Sequence, residues 1–115
     1  MKNQQLTTVI AELKRLAIER KRPLWKRVAT DLEKPTRQRR VVNLWRVDQV
    51  AKEGELIVVP GKLLGEGELT KKVTIAAAQY SESARAKLAA NGSTLMSLTE
   101  LTKKVPDGKN VRIIG

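Results

Sequence analysis

"ELIVVPGKLLGEGELTKKVTIAAA", Glu55 to Ala78, carries the reading of the fold. Its two ends, "ELIVV" and "KVTIAAA", are apolar or β-branched runs of strand length, and such runs predict strands. Between them lie three glycines, a lysine and a proline. Glycines spaced around a lysine can cradle a phosphate, so the stretch raises a chemical question as well as a structural one. An ATPase-type loop needs four residues between its first Gly and a Gly-Lys pair, then Ser or Thr for magnesium. Here Gly61-Lys62 is followed by Leu63, and no Gly stands five residues before Gly61. A dinucleotide fingerprint needs a third Gly three residues after its second. Gly65-Glu66-Gly67 instead runs on into "ELT", with two carboxylates where a phosphate would sit. Both nucleotide readings fail. Pro60-Gly61 reads as a turn, and Gly65 and Gly67 as points of close backbone approach or unusual backbone angle.

Downstream, "YSESARAKLAANG" predicts a helix with Ser81 as N-cap, Ala84, Leu88 and Tyr80 on its apolar side, and an Asn91-Gly92 stop. Ser97-Leu98-Thr99-Glu100 has the capping-box pattern before a short helix through Lys104. "PDG" is a turn and "NVRII" a last strand. Upstream the grammar is helical. Leu6, Val9, Ile10, Leu13, Leu16 and Ala17 follow the spacing of one buried helical stripe, with Asn3 as N-cap. Arg20, Lys21 and Arg22 suit the negative pole of that helix, and Pro23 forbids its continuation. Pro23 then opens a second helix with Leu24 or Trp25, Val28 and Leu32 inward, closed by Pro35. "VVNLWRVDQVAKEG" reads as a third helix, with Asn43 as N-cap, Leu44, Val47, Val50 and Ala51 as its stripe and Gly54 as its stop. The expectation is a single domain, α/β in class. A basic helical half, 1–53, carries a charged elbow at 34–42, and an α/β scaffold half spans 54–115.

Charge points to a partner. The chain of 115 residues has a formal net charge of +11. Residues 1–46 hold 13 Lys and Arg against 4 Asp and Glu, while residues 47–115 hold 10 against 8. Self-repulsion on that scale destabilises an isolated fold, so a polyanion is the natural partner. With no Cys and no His, zinc-type metal sites, disulfides and thiol chemistry are removed, and so is the commonest general acid/base. Glu66 and Glu68, and Glu53 and Glu55, lie in Gly-rich turns, where exposure defeats the buried pairing that glycoside hydrolysis requires. No apolar run approaches the ~18 residues that span a bilayer, and no signal-peptide core opens the chain. The expectation is a soluble intracellular protein without cofactor, metal, membrane or small-molecule substrate.

The cations gather on the helical half. Lys14, Arg15, Arg20, Lys21, Arg22, Lys26 and Arg27 crowd the first two helices, and Lys34, Arg37, Arg39, Arg40 and Arg46 surround the elbow. Lys62, Lys71 and Lys72 add charge from the scaffold. Arg is prominent, and its planar fork suits phosphate oxygens. Neutralising about 8 phosphates gives a salt slope near −7 on duplex. Two Trp and one Tyr do not make a base-stacking sheet of the RRM kind. An elbow of about eight residues is long for a helix-turn-helix, whose turn is three or four. Recognition of a folded RNA by shape and phosphate is the better reading; a DNA-binding module and a small phosphoryl-transfer enzyme are its rivals.

Two segments carry a family resemblance. "DLEKPTRQRRVVNLWRV", Asp31 to Val47, resembles the signature of the archaeal and eukaryotic large-subunit ribosomal protein eighteen-e, through Leu32, Pro35, the basic elbow, Val42-Asn43-Leu44 and Arg46-Val47. "KLLGEGELTKKVTIAAAQYSESARAKLAANG", Lys62 to Gly92, is similar to the pattern that this family shares with ribosomal protein fifteen, through Lys-Leu-Leu-Gly-x-Gly, Ser81, Ala84, Leu88 and Gly92. The resemblance implies a non-enzymatic component of the large ribosomal subunit, in the cytoplasm. It implies ribosomal RNA and neighbouring ribosomal proteins as partners. The fold it implies has N-terminal helices before an irregular β-β-α superhelix core. It singles out no RNA-contacting side chain, so the candidate cations rest on charge and position.

Overall fold

The computed structural model describes residues 4–34, 41–105 and 111–114. The chain opens with a helical hairpin, α1 (Gln4–Glu19) and α2 (Pro23–Glu33). Then follow β1 (Val41–Asn43), α3 (Leu44–Val50), β2 (Leu56–Leu64), β3 (Thr74–Tyr80), α4 (Glu82–Asn91), β4 (Thr94–Met96), α5 (Leu98–Lys104) and β5 (Val111–Ile113). The α/β class and the order of helices before strands are as the sequence implies.

Every strand pairing among the described residues is parallel. β2 is the long central strand. β3 runs along one of its edges and β4 lies beyond β3. The other edge is shared: β5 pairs with Leu56–Val58 and β1 with Lys62–Leu64. Between those partners the register with β3 shifts, from Val59 to Lys62. Pro60-Gly61 therefore forms a bulge within β2 and not the expected turn. A proline has no N–H to give a ladder, so the point where the edge passes from one partner to another tolerates it.

The sheet is covered on both faces, as parallel sheets are. One face packs Ile57, Val59, Leu63, Ile75 and Ala77 against α3 and α4 through Leu44, Val47, Ala84 and Leu88. The other packs Val58, Ala76 and Met96 against α1, α2 and α5 through Leu13, Leu16, Trp25, Val28, Leu32 and Leu101. The first 53 residues thus contribute helices to both faces and a strand to the sheet. Trp25 is the fully buried anchor of α2, with Leu24 at its margin.

Four local expectations are corrected. Val41–Asn43 is a strand and not helix, because the open edge of β2 offers hydrogen bonds to a β-branched pair. α3 ends at Val50 with Ala51 as an extended cap, so Gly54, at φ 78°, turns the chain later and does not stop the helix. Thr94–Met96, unread from the sequence, forms β4 beside β3. Tyr80 ends β3 half-exposed and does not line the apolar side of α4. Other signals hold: Ser81 accepts from the Ala84 N–H, Ser97 and Glu100 form the reciprocal capping box, and Gly92 closes α4 in the left-handed region. The expected Asn3 cap and the "PDG" turn lie outside the described residues.

Candidate nucleic-acid interface

The hairpin sorts its own charges. Lys14 on α1 pairs with Glu33 on α2 at 3.1 Å, Arg15 engages both Glu12 and Glu19, and Lys34 reaches Asp31 at 3.3 Å. Those are all four carboxylates of the first 46 residues. The Arg15 bond holds the Glu12 carboxyl below its usual range. Three cations thus occupy every acid of this segment. Lys21, Arg22, Lys26 and Arg27 are exposed and carry no ion pair among the described residues. They cluster where α1 turns into α2, with Arg20 beside them and also exposed. Lys21 sits at φ 52°, a left-handed conformation that reverses the chain within three residues so that Pro23 can open α2. Arg22 occupies the N-cap position of α2 without a side-chain cap bond, which leaves its guanidinium outside the helix.

The remaining candidates divide. Arg46 on α3, Lys62 on β2 and Lys72 after the glycine-rich bend are exposed. Lys71 is half-buried, and its Nζ donates to the Asp48 and Ala51 carbonyls at 2.6 and 2.8 Å, capping the end of α3. That employment is structural and leaves little of its charge for a ligand. Arg37, Arg39 and Arg40 lie outside the described residues, as does most of the elbow.

The glycine-rich bend is a packing device. A Cβ on Gly65 would meet Ser83 Oγ at 2.3 Å and the Ala84 nitrogen at 2.7 Å, so α4 seats directly on it. Gly67, at φ 92°, would bring a Cβ to 2.6 Å from the Trp45 Cβ. Trp45 donates its backbone N–H to the Glu66 carbonyl at 3.1 Å, and Lys87 donates to the Gly67 carbonyl at 2.8 Å. The bend is thereby pinned to the starts of α3 and α4, with its amides turned to structural work.

Sequence reasoning passed over the two exposed aromatics, Trp45 and Tyr80, each 46% accessible. The signal was available: neither falls on the apolar stripe of a helix. Asn43, expected to cap α3, occupies the N-cap position but makes no side-chain cap bond, and its Oδ1 is buried without a donor among the described residues.

Fold and surface together define a class: a small parallel α/β protein that presents an uncompensated cationic corner and, among its described residues, no cluster of metal-ligating side chains. The comparisons make the class particular. The chain belongs to the family of ribosomal proteins that takes in 50S-L15, 50S-L18e and their 60S counterpart, and the family pattern matches residues 23–96. It is 41% identical to the large ribosomal subunit protein eL18 of Sulfurisphaera tokodaii, over 92% of this chain and 90% of that one. It is also 41% identical to the protein of that name from Pyrobaculum aerophilum (97% and 92% covered) and 40% identical to that of Archaeoglobus fulgidus (97% and 96%). The family is one of ribosomal proteins and not of enzymes.

Proposed function

We propose that this chain is a structural constituent of the large ribosomal subunit, in the cytoplasm, and that it binds large-subunit ribosomal RNA through the basic hairpin and elbow. The observation that carries the reading is the cationic corner: Lys21, Arg22, Lys26 and Arg27 stand exposed while every acid of their segment is engaged elsewhere. Uncompensated cations on a rigid hairpin fit the phosphates of a folded RNA, where counterion release drives binding and shape sets the register. Both faces of the sheet anchor helices, so the hairpin is held in place before RNA arrives. Neighbouring ribosomal proteins are the remaining partners.

The test is the salt dependence of binding to deproteinised large-subunit RNA, with duplex DNA as control. Replacing Lys21, Arg22, Lys26 and Arg27 together by Gln should flatten the slope by roughly 3, at under one per phosphate contact. The same variant should sediment with large subunits less completely at high salt. An unchanged slope and affinity would remove the corner from the interface, and equal affinity for duplex DNA would favour a general duplex binder.

A further inference from the structure

The carboxyl edge of the sheet has properties that the cationic corner does not explain. Among the described residues, four large apolar side chains are exposed: Ile18, Val41, Trp45 and Tyr80. Three of them belong to this part of the fold. Val41 is paired with Lys62 on the open edge of β2, Trp45 begins α3 just after β1, and Tyr80 ends β3. The Gly65–Gly67 bend ties these segments together, touching Trp45 on one side and Ser83 on the other. In parallel α/β sheets the crevice outside the carboxyl ends of the strands is the usual ligand position.

The edge is a poor place for a phosphate alone. The N-terminus of α4 is already satisfied by Ser81, and Glu82 puts a negative charge at its positive pole. The exposed Glu66 adds another beside Trp45. What the edge offers is planar apolar surface, flanked by two cations, Arg46 and Lys62, that have no ion pair among the described residues. Aromatic faces beside cations are how proteins hold an unpaired nucleotide, by stacking the base and gripping the backbone next to it.

We infer that this edge is a second RNA contact, at which Trp45 and Tyr80 stack an unpaired base while Arg46 and Lys62 hold the phosphates beside it; the inference rests on the RNA-binding reading above. The two tryptophans make it testable in the unmodified chain, because Trp25 is wholly buried and Trp45 is not. Titration with deproteinised large-subunit RNA should quench the exposed Trp45 emission and shield it from iodide. Trp45→Ala should weaken binding about tenfold without changing the salt slope, and Tyr80→Ala should do likewise to a smaller degree. Lys62→Gln should lower the slope by about one. Tight RNA binding with Trp45 unquenched and Tyr80→Ala without effect overturns the stacking site while leaving the RNA-binding reading intact. No RNA binding by the unmodified chain removes that reading, and the stacking site with it. If Trp45 is open in the RNA complex but shielded in whole subunits, a neighbouring protein covers the edge and the RNA assignment is wrong. Far-UV circular dichroism confirms that each variant is folded.

Discussion

Gly65 shows how much one missing methyl group decides. Its ideal Cβ would lie 2.7 Å from the backbone nitrogen of Ala84 and closer still to Ser83, so α4 packs on this residue as on a flat plate. Backbone at that distance cannot move aside as a flexible side chain can. Gly65→Ala should therefore destabilise the fold by about 2 kcal/mol, the range of overpacked cores, as read by urea unfolding. Gly54→Ala is the contrast, since that position has open space around it and only its positive φ to resist substitution. A Gly65→Ala variant as stable as the original would mean that α4 is free to shift. At this scale the sequence was partly legible: glycines in the bend announced close approach, but nothing in the chain said that Ser83 and Trp45 were the neighbours.

Elements are joined by a clasp between α3 and the strand entry that follows the bend. Asp48 accepts from the Thr70 N–H at 2.8 Å and from its hydroxyl at 2.7 Å, while Lys71 caps the same helix end from the other side. Glu53 accepts from the Lys72 N–H, and Asn91 on α4 donates to the Leu69 and Lys71 carbonyls. The Thr70 bonds hold the Asp48 carboxyl below its ordinary range, with the Lys71 charge acting the same way against a small desolvation. A depressed folded-state pKa contributes stability that is complete above the unfolded value, near 4, and is lost as pH falls through the folded one. The isolated chain should lose stability in acid below about pH 4, and Asp48→Asn should flatten part of that limb. Glu12, Glu55 and Glu82 are also depressed and should keep the rest. For Glu55 burial works in the opposite direction, and the Lys52 N–H and the Arg112 guanidinium outweigh it. An acid limb identical in wild type and Asp48→Asn, measured by denaturant midpoint against pH, would show that the clasp carries no linkage.

Over the whole molecule the dominant fact is unbalanced charge. A net +11 on a fold whose principal axes span 36 × 30 × 19 Å means mutual repulsion in the free state. Added salt screens that repulsion, so the free protein should melt at higher temperature in 0.5 M than in 0.05 M NaCl, and most of the difference should vanish in the Lys21/Arg22/Lys26/Arg27→Gln variant. A melting temperature indifferent to salt would mean that the cations are too dispersed to repel. Affinity runs the other way, falling as salt rises. The same charges that weaken the isolated chain are those the proposed RNA would neutralise.

The amino-acid order by itself determined the class of fold, the existence of every described element except two short strands, the helix caps at Ser81 and Ser97, and the basic character of the first half. Those features are local. A helical stripe, a β-branched run, a capping serine and a count of charges each act within a few residues of where they are written. Tertiary structure alone decided the rest. It made Val41–Asn43 and Thr94–Met96 strands, because a three-residue segment has no periodicity to read and extends only when a neighbouring edge supplies its hydrogen bonds. It turned Pro60-Gly61 into a bulge because β2 continues from β5 to β1 along the same edge. It also separated equal-looking cations into three engaged with acids, one buried under a helix end and a cluster left open. Charge is a property of composition, but whether a charge is free depends on which acids the fold brings within reach.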